Sequence, residues 1–231
     1  MNLLKAILVL FFFISSIWCN AQDNGTFWTS AGVSEDGFGE NKYYNSSTGK
    51  SLHGGFLVEF GYSHKVWKYV GLAGLFRNQF YFYKDLDTYD YGGKVDYHGP
   101  FQHHTLLAGL SGYVPIDQES AIELRVLAGP FWRVTPKVVV TSQNYSGYSY
   151  SKASSTVERA SGFSWAYLFG AGYRTKLSPK VTFMVSLDLQ LANPDFKSVQ
   201  YRSTTSANVY TPAYTYNSKS YNLVFGFGFP L

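Results

Sequence analysis

The chain has 231 residues, a net charge of +4 at neutral pH and a single cysteine, Cys19. This length suits one domain, and so mild a charge gives no indication of nucleic-acid binding. Twenty Tyr, 19 Phe and 22 Gly against two Met favour strands and tight turns over helices. A lone cysteine excludes both an intramolecular disulfide framework and a thiolate metal site.

The first 21 residues have the layout of a secretory signal peptide. Lys5 supplies the positive start, residues 6–18 are uncharged and largely apolar, and Cys19 and Ala21 are small residues before a cut after Ala21. An uncleaved membrane helix is one alternative, but the apolar run is shorter than the ~20 residues that span a bilayer. A lipoprotein lipidated at Cys19 is another, but Trp18 is a bulky neighbour for that cleavage. Cleavage leaves residues 22–231 as the mature domain.

Eight segments after the signal alternate bulky apolar side chains with small or polar ones, with the period of two that is typical of strands. The first of them is the most weakly patterned. In chain order they are Phe27–Ser34, Gly54–Tyr62, Tyr69–Tyr83, Phe101–Val114, Ala121–Trp132, Gly162–Arg174, Val181–Leu191 and Tyr221–Leu231.

The connections alternate between long polar loops and short turns. The loops are residues 35–51, 84–100, 133–161 and 192–219, and the turns are residues 63–68, 115–120 and 175–180. An up-and-down meander puts all the loops at one end and all the turns at the other. The sequence therefore predicts an all-β fold, an eight-stranded antiparallel up-and-down transmembrane β-barrel with long extracellular loops and short periplasmic turns. A secreted soluble barrel of the lipocalin kind, with its bulky faces inward, is the alternative.

The small, polar faces of these strands carry charges of both signs. An eight-stranded barrel is just wide enough to be filled by side chains, and a charge inside it is tolerated only when paired. Three acids and three arginines therefore predict a self-neutralised network that plugs the lumen. The alternative is that some of them lie at water-exposed strand ends without partners. The six residues are Glu59, Arg77, Glu123, Arg125, Arg174 and Asp188.

Aromatic residues concentrate at the predicted strand ends. This pattern predicts the two girdles of a membrane barrel, although ordinary core packing is an alternative. Near the short turns are Tyr62, Trp67, Tyr69, Tyr113 and Tyr173, and near the long loops are Phe80, Phe82, Phe101, Trp132, Phe163, Trp165 and Tyr221.

The sequence carries no motif for catalysis, metal binding or cofactor binding. His103 and His104 are adjacent, so on a strand they point to opposite faces and cannot chelate one ion. Ser111 lies eight residues from His103 on the same strand, or ~27 Å at 3.4 Å per residue. We therefore predict no catalytic residue, no metal and no cofactor. A lipid-modifying enzyme that uses His103 is the alternative.

Two of the long loops are rich in Tyr, Ser and Asn. Tyr supplies large amphipathic contact area at low entropic cost, and Ser and Asn supply adaptable hydrogen bonds. This composition predicts a surface that binds an extracellular protein or glycan ligand. Solvated loops without a partner, or a hairpin that begins near Val138 and extends beyond the membrane, are the alternatives. The candidate residues are Tyr145, Tyr148, Tyr150, Tyr201, Tyr210, Tyr214 and Tyr216.

The last strand presents an aromatic and aliphatic face opposite a face of small residues. Gly226, Phe229 and Leu231 resemble the C-terminal insertion signal of Gram-negative outer-membrane β-barrels. With the signal peptide and the loop pattern, the whole mature chain resembles the small outer-membrane β-barrel proteins of the OmpA/OmpX and PorT-like type.

That resemblance implies an integral outer-membrane protein, in contact with outer-membrane lipids and lipopolysaccharide. It also implies insertion by the barrel-assembly machinery, a monomeric state and structural, adhesive or envelope-accessory roles. We predict that the protein is not an enzyme. A narrow porin or transporter for small solutes is the alternative that ion conductance would distinguish.

Overall fold

The computed structural model describes residues 25–38, 53–82, 94–146, 149–197, 200–203, 209–210 and 214–231. The predicted signal peptide lies outside these ranges. The described residues form fifteen strands. In chain order they are β1 (Gly25–Phe38), β2 (His53–Trp67), β3 (Val70–Tyr81), β4 (Lys94–His98), β5 (Phe101–Pro115), β6 (Ser120–Val134), β7 (Lys137–Ser146), β8 (Ser149–Val157), β9 (Ser161–Ser178), β10 (Val181–Ala192), β11 (Asp195–Phe196), β12 (Gln200–Ser203), β13 (Val209–Tyr210), β14 (Tyr214–Thr215) and β15 (Ser218–Pro230).

Eight long strands close into a barrel. β1, β2, β3, β5, β6, β9, β10 and β15 pair in this order, each antiparallel to the next, and β15 returns to pair with β1. The strands are staggered around the barrel. A path that starts at Thr182 and steps from each residue to its partner on the next strand returns to β10 at Ala192, ten residues further along. Such a stagger tilts the strands against the barrel axis and accompanies a narrow, side-chain-filled interior. The predicted eight-stranded up-and-down barrel is confirmed.

The two faces of the strands point as their alternation predicts. Leu187, Phe225 and Phe227 face outward with 65%, 48% and 46% of their surface exposed, whereas Arg125 and Asp188 face the lumen at 3% each. A soluble barrel would bury the first group and expose the second. The lipocalin-like alternative is therefore wrong, and the outer face matches a hydrocarbon environment.

The short turns are tighter than the sequence pattern indicates. β2 and β3 are separated only by residues 68–69, and β9 and β10 only by residues 179–180. The backbone ladder continues to the turn because neighbouring strands satisfy each other's N–H and C=O groups. In the remaining short turn, between β5 and β6, the Asp117 carboxylate accepts hydrogen bonds from the N–H groups of Glu119 and Ser120, at 2.8 and 2.7 Å. These backbone hydrogen bonds hold the pKa of the Asp117 carboxyl below its usual range.

The long loops carry a second, five-stranded sheet, in the order β13, β12, β8, β7, β4. β7 and β8 form a hairpin in which Val138 pairs with Val157 and Tyr145 with Tyr150. β4 joins one side of it and β12 the other, so three different loops contribute strands. The alternative of a hairpin near Val138 is therefore present, but as part of a larger sheet beyond the long-loop end of the barrel. Among the described residues, no helix is long and apolar enough to cross a membrane.

Candidate functional site

Four of the six predicted lumen charges form one buried cluster. The Arg77 guanidinium donates to Glu59 Oε2 from Nε at 3.0 Å and from Nη2 at 2.7 Å, and it also contacts the Asp188 carboxylate. Arg125 Nη2 donates to Asp188 Oδ1 at 3.0 Å, and Arg125 Nη1 lies 3.9 Å from Glu59 Oε1. Two carboxylates and two guanidinium groups thus neutralise one another in the middle of the barrel.

Neighbouring strands leave room for this cluster and add hydrogen bonds to it. Ser30 Oγ donates to Glu59 Oε1 at 2.9 Å, and Arg125 Nη2 donates to Ser186 Oγ at 2.7 Å. A Cβ atom at Gly170 would overlap the Asp188 carboxylate, so the absence of a side chain there lets the carboxylate reach the cluster. The buried charges are therefore stabilised by ion pairs and hydrogen bonds, and Gly170 leaves the room that this arrangement needs.

The remaining two predicted charges form a separate pair nearer the short turns. Arg174 Nη1 lies 3.5 Å from Glu123 Oε2. The Arg174 guanidinium also lies 5.4 Å from the ring centroid of Tyr113, which is 4% exposed. The placement of Tyr113 in the interfacial girdle was therefore wrong. Tyr113 is an even number of positions from His103 and Ser111 on β5, so it shares their inward register.

An uncharged polar layer lies on the loop side of the central cluster. Gln79 Nε2 donates to Asn222 Oδ1 at 2.8 Å and to Ser34 Oγ at 3.1 Å. Gln190 Nε2 donates to Thr105 Oγ1 at 3.2 Å. These amides come from opposite walls of the barrel, and their side chains cross the lumen.

Aromatic side chains and one arginine fill the loop end of the lumen. His103 is fully buried, with its ring centroid 4.7 Å from that of Tyr81 and 5.1 Å from that of Phe131. The Arg133 guanidinium, on a residue 3% exposed, lies 3.8 Å from the ring centroid of Tyr216. Sequence reasoning missed Arg133, although its inward position follows from the alternation of Glu123 and Arg125 on the same strand.

The structure does not bring His103 and Ser111 together. Both side chains face the lumen from β5, but His103 packs between rings, and Ser111 Oγ donates to the Tyr113 hydroxyl at 3.0 Å. No group of three or more His, Cys, Asp or Glu side chains within the described ranges could hold a metal ion. Neither ring nitrogen of His103 has a hydrogen-bond partner in the part of the chain that the structure describes.

The tyrosines proposed for ligand binding fall into different settings. Tyr145 and Tyr150 are paired positions of the β7–β8 hairpin, Tyr201 pairs with Val157, Tyr210 with Gln200, and Tyr214 with Phe196. Tyr148 lies outside the described residues. Tyr216 is different, because it is 7% exposed and its ring packs on Arg133. Tyr216 is thus part of the lumen packing, and its assignment to an exposed binding surface is corrected.

The residues of the predicted insertion signal occupy both faces of the last strand. Gly226 faces the lumen beside Ser30, while Phe229 and Leu231 are 41% and 51% exposed on the outside. The Leu231 N–H donates to the Gly25 carbonyl at 2.9 Å, which ties the end of β15 to the start of β1.

An open, mainly apolar groove of about 1200 Å³ is lined by residues of β1, β2, β6, β9, β10 and β15, and its lining also includes the lumen residues Arg125 and Asp188. Its walls include Leu124, Phe169, Leu187 and Leu223.

The geometry defines the class of protein. The eight long strands form a closed ring without a free edge, the outer face of the ring is apolar, and the four central charges are buried and paired inside it. The protein is an integral β-barrel of the outer membrane.

The sequence matches no protein-family model and no curated protein. Among solved structures, the chain is similar to Ail, the attachment invasion locus protein of Yersinia pestis, at 16% identity over 89% of this chain and 99% of that one, with a TM-score of 0.44. It is also similar to neisserial surface protein A, at 13% identity over 90% and 97%, with a TM-score of 0.46. A major outer membrane protein of Thermus thermophilus has 13% identity over 89% and 98%, and a TM-score of 0.47. The fold assignment rests on the closed barrel and its apolar outer face.

Proposed function

We propose that this protein is a non-enzymatic outer-membrane barrel whose long loops bind an extracellular protein or glycan, and whose lumen is closed to solutes. The observation that carries the proposal is the five-stranded sheet made from three loops. Strands that hydrogen-bond to one another lose less conformational entropy on binding than separate loops would, so such a sheet favours recognition. Its Tyr, Ser and Asn content supplies contact area and adaptable hydrogen bonds.

The interior supports closure of the lumen. A central cluster of four charges, a layer of crossing amides and an aromatic end follow one another along the barrel. The side chains of the four central charges are at most 2% exposed, which leaves little room for a hydrated ion to pass. We further propose that the barrel is a monomer, is surrounded by outer-membrane lipids and lipopolysaccharide, and is inserted by the barrel-assembly machinery through Gly226, Phe229 and Leu231.

Conductance tests the closed lumen. Purified protein in a planar lipid bilayer should give no large, steady current. The double variant Arg125→Ala/Asp188→Ala removes one acid and one base together, and it should conduct more than the natural protein because it widens the middle of the lumen. A large, steady current through the natural protein would favour the porin alternative and contradict closure.

Binding tests the loop surface. The protein in lipid nanodiscs should bind a member of a glycan or extracellular-matrix protein panel, and Tyr145→Ala/Tyr148→Ala/Tyr150→Ala should weaken that binding about tenfold or more, as the loss of aromatic anchors does. Tyr167→Ala is the matched control, since Tyr167 is 53% exposed on the outer face of the barrel. Binding that survives the triple substitution, or a panel without any ligand, would oppose the proposal.

A further inference from the structure

The short-turn end of the barrel carries an excess of positive charge. Five basic residues lie there: Lys65, Lys68, Arg174, Lys176 and Lys180. The described acidic residues at this end are Asp117, Glu119 and Glu123. In an outer-membrane barrel this end faces the periplasm, because the long loops face outside.

Three of the basic side chains converge on the mouth of the lumen. Lys65 Nζ lies 5.0 Å from the ring centroid of Tyr113, and the Arg174 guanidinium lies 5.4 Å from the same ring. Lys65 is also close enough to Arg174 and Lys176 for their charges to repel its own. An aromatic face attracts cations, so the buried Tyr113 ring holds two of them near each other.

The acidic groups only partly offset this charge. Glu123 is 3% exposed and its Oε2 lies 3.5 Å from Arg174 Nη1, so it neutralises one of the three cations. The Asp117 carboxylate is hydrogen-bonded to the backbone of its own turn. Glu119 contributes its backbone carbonyl, which accepts the Lys176 N–H at 2.9 Å, and its carboxylate is the other acid that an incoming anion would meet. The five basic residues against the three described acidic residues leave a surplus of two positive charges at this end of the barrel.

Exposed apolar side chains surround the same end. Trp67, Ile116 and Leu177 are 72%, 57% and 60% exposed at the three short turns. Lys68 Nζ lies 5.2 Å from the ring centroid of the half-exposed Tyr69. Trp and Tyr side chains prefer the level of the lipid headgroups, so the lumen mouth lies near the phosphates of the inner leaflet.

The geometry points to a binding site for a phosphoryl group at the periplasmic mouth, formed by Lys65, Lys176 and Arg174 over the Tyr113 ring. A phosphoryl anion would neutralise the surplus charge and accept hydrogen bonds from these donors. Hydrogen bonds between charged groups are stronger than those between neutral groups. The barrel walls would focus the positive potential at the opening. The phosphoryl group comes from inorganic phosphate or from a phospholipid headgroup of the inner leaflet. Because the central cluster fills the next layer of the lumen, the site binds the anion without conducting it through the barrel.

Two arms of one experiment separate the sources. In the first, inorganic phosphate is titrated calorimetrically into the protein in a neutral detergent. In the second, native mass spectrometry compares retention of phosphatidic acid and phosphatidylcholine by protein taken from mixed nanodiscs. Saturable phosphate binding supports the free anion, and selective retention of phosphatidic acid supports the headgroup.

The test variant is Lys65→Gln/Lys176→Gln, which replaces two charged donors with neutral ones and leaves the Arg174–Glu123 pair intact. It should weaken phosphoryl binding roughly tenfold or more, as the loss of two charge-assisted hydrogen bonds predicts. Lys219→Gln is the matched control, because Lys219 also lies over a tyrosine, 5.2 Å from the Tyr221 ring, but at the opposite end of the barrel. Heat-modifiable mobility on gels reports folding of each variant, and the single variant Lys176→Gln, altered at an exposed position, serves if the double variant does not fold. The proposal is overturned if the natural protein binds neither phosphate nor anionic lipid, or if binding is the same in the variant and the control.

Discussion

The substitution Asp188→Asn tests how strongly the central cluster stabilises the barrel. Asp188 is the carboxylate that both Arg77 and Arg125 contact, and the side chains concerned are at most 2% exposed. Without its charge, two guanidinium groups share only Glu59, so one buried positive charge has no partner. Removing one member of a buried pair costs about 3–5 kcal/mol, because the charge left behind remains desolvated. A loss of ~4 kcal/mol lowers the folding equilibrium constant about a thousandfold.

The measurement is urea unfolding of the protein in phospholipid vesicles, followed by tryptophan fluorescence and extrapolated to zero denaturant. The control is Arg125→Leu/Asp188→Leu, which removes one charge of each sign and leaves the Arg77–Glu59 pair neutral. It should lose less stability than Asp188→Asn, because replacing a complete pair with apolar side chains avoids an unpaired charge. If the free energy of unfolding of Asp188→Asn is within about 1 kcal/mol of the value for the natural protein, water must screen the cluster. The reasoning from a dry lumen then fails.

Three further substitutions test packing, lipid exposure and a turn. Gly61→Ala should lower the free energy of unfolding by ~1–3 kcal/mol, because the added methyl group would overlap the buried Trp28 indole. The control Gly54→Ala, at a position with open space around it, should change the free energy of unfolding by less than ~0.5 kcal/mol. Equal effects of the two substitutions would contradict this packing. Leu187→Arg should cost ~2–4 kcal/mol in vesicles if the residue faces the bilayer interior, and a negligible cost would argue against its contact with lipid. Asp117 has a lowered pKa, so its ionised form stabilises the turn at neutral pH, and this contribution is lost as the pH falls through the lowered value. Asp117→Ala should therefore flatten the acid side of the stability profile against pH, and an unchanged acid side would show that this carboxylate plays no part.

The barrel was predictable because hydrocarbon outside and packed charges inside impose opposite demands on alternate residues. On β10, for example, Leu187 faces lipid and Asp188 faces the lumen. This contrast appears in every well-patterned strand, and it fixes strand number and orientation together. The alternation of loops and turns then gives the meander.

The contacts inside the lumen were harder to predict, because they join residues that are distant in sequence. The first strand looked weakly patterned, yet Trp28 is fully buried where Gly61 leaves space for its ring. Likewise, the stacking of Arg133 on Tyr216 joins a barrel strand to the last loop, and composition had suggested a surface role for that tyrosine. Local patterns report which face a residue occupies, but they do not report its partner across the barrel.

The loop sheet was missed for a related reason. Val95 pairs with Val140, and Val157 pairs with Tyr201, so its ladders connect separate loops. None of the three loops shows a regular alternation that would predict the pairing by itself. Only the barrel, which brings the loop ends to one side, makes these strands neighbours.

The origin of that sheet in three loops has an immunological consequence. An antibody raised against the intact protein would contact residues that come together only after folding, so its epitope would be discontinuous. Synthetic peptides copying one loop would compete poorly for it, and boiling the antigen would abolish recognition. Competition immunoassays with single-loop peptides and with the native protein would reveal this difference.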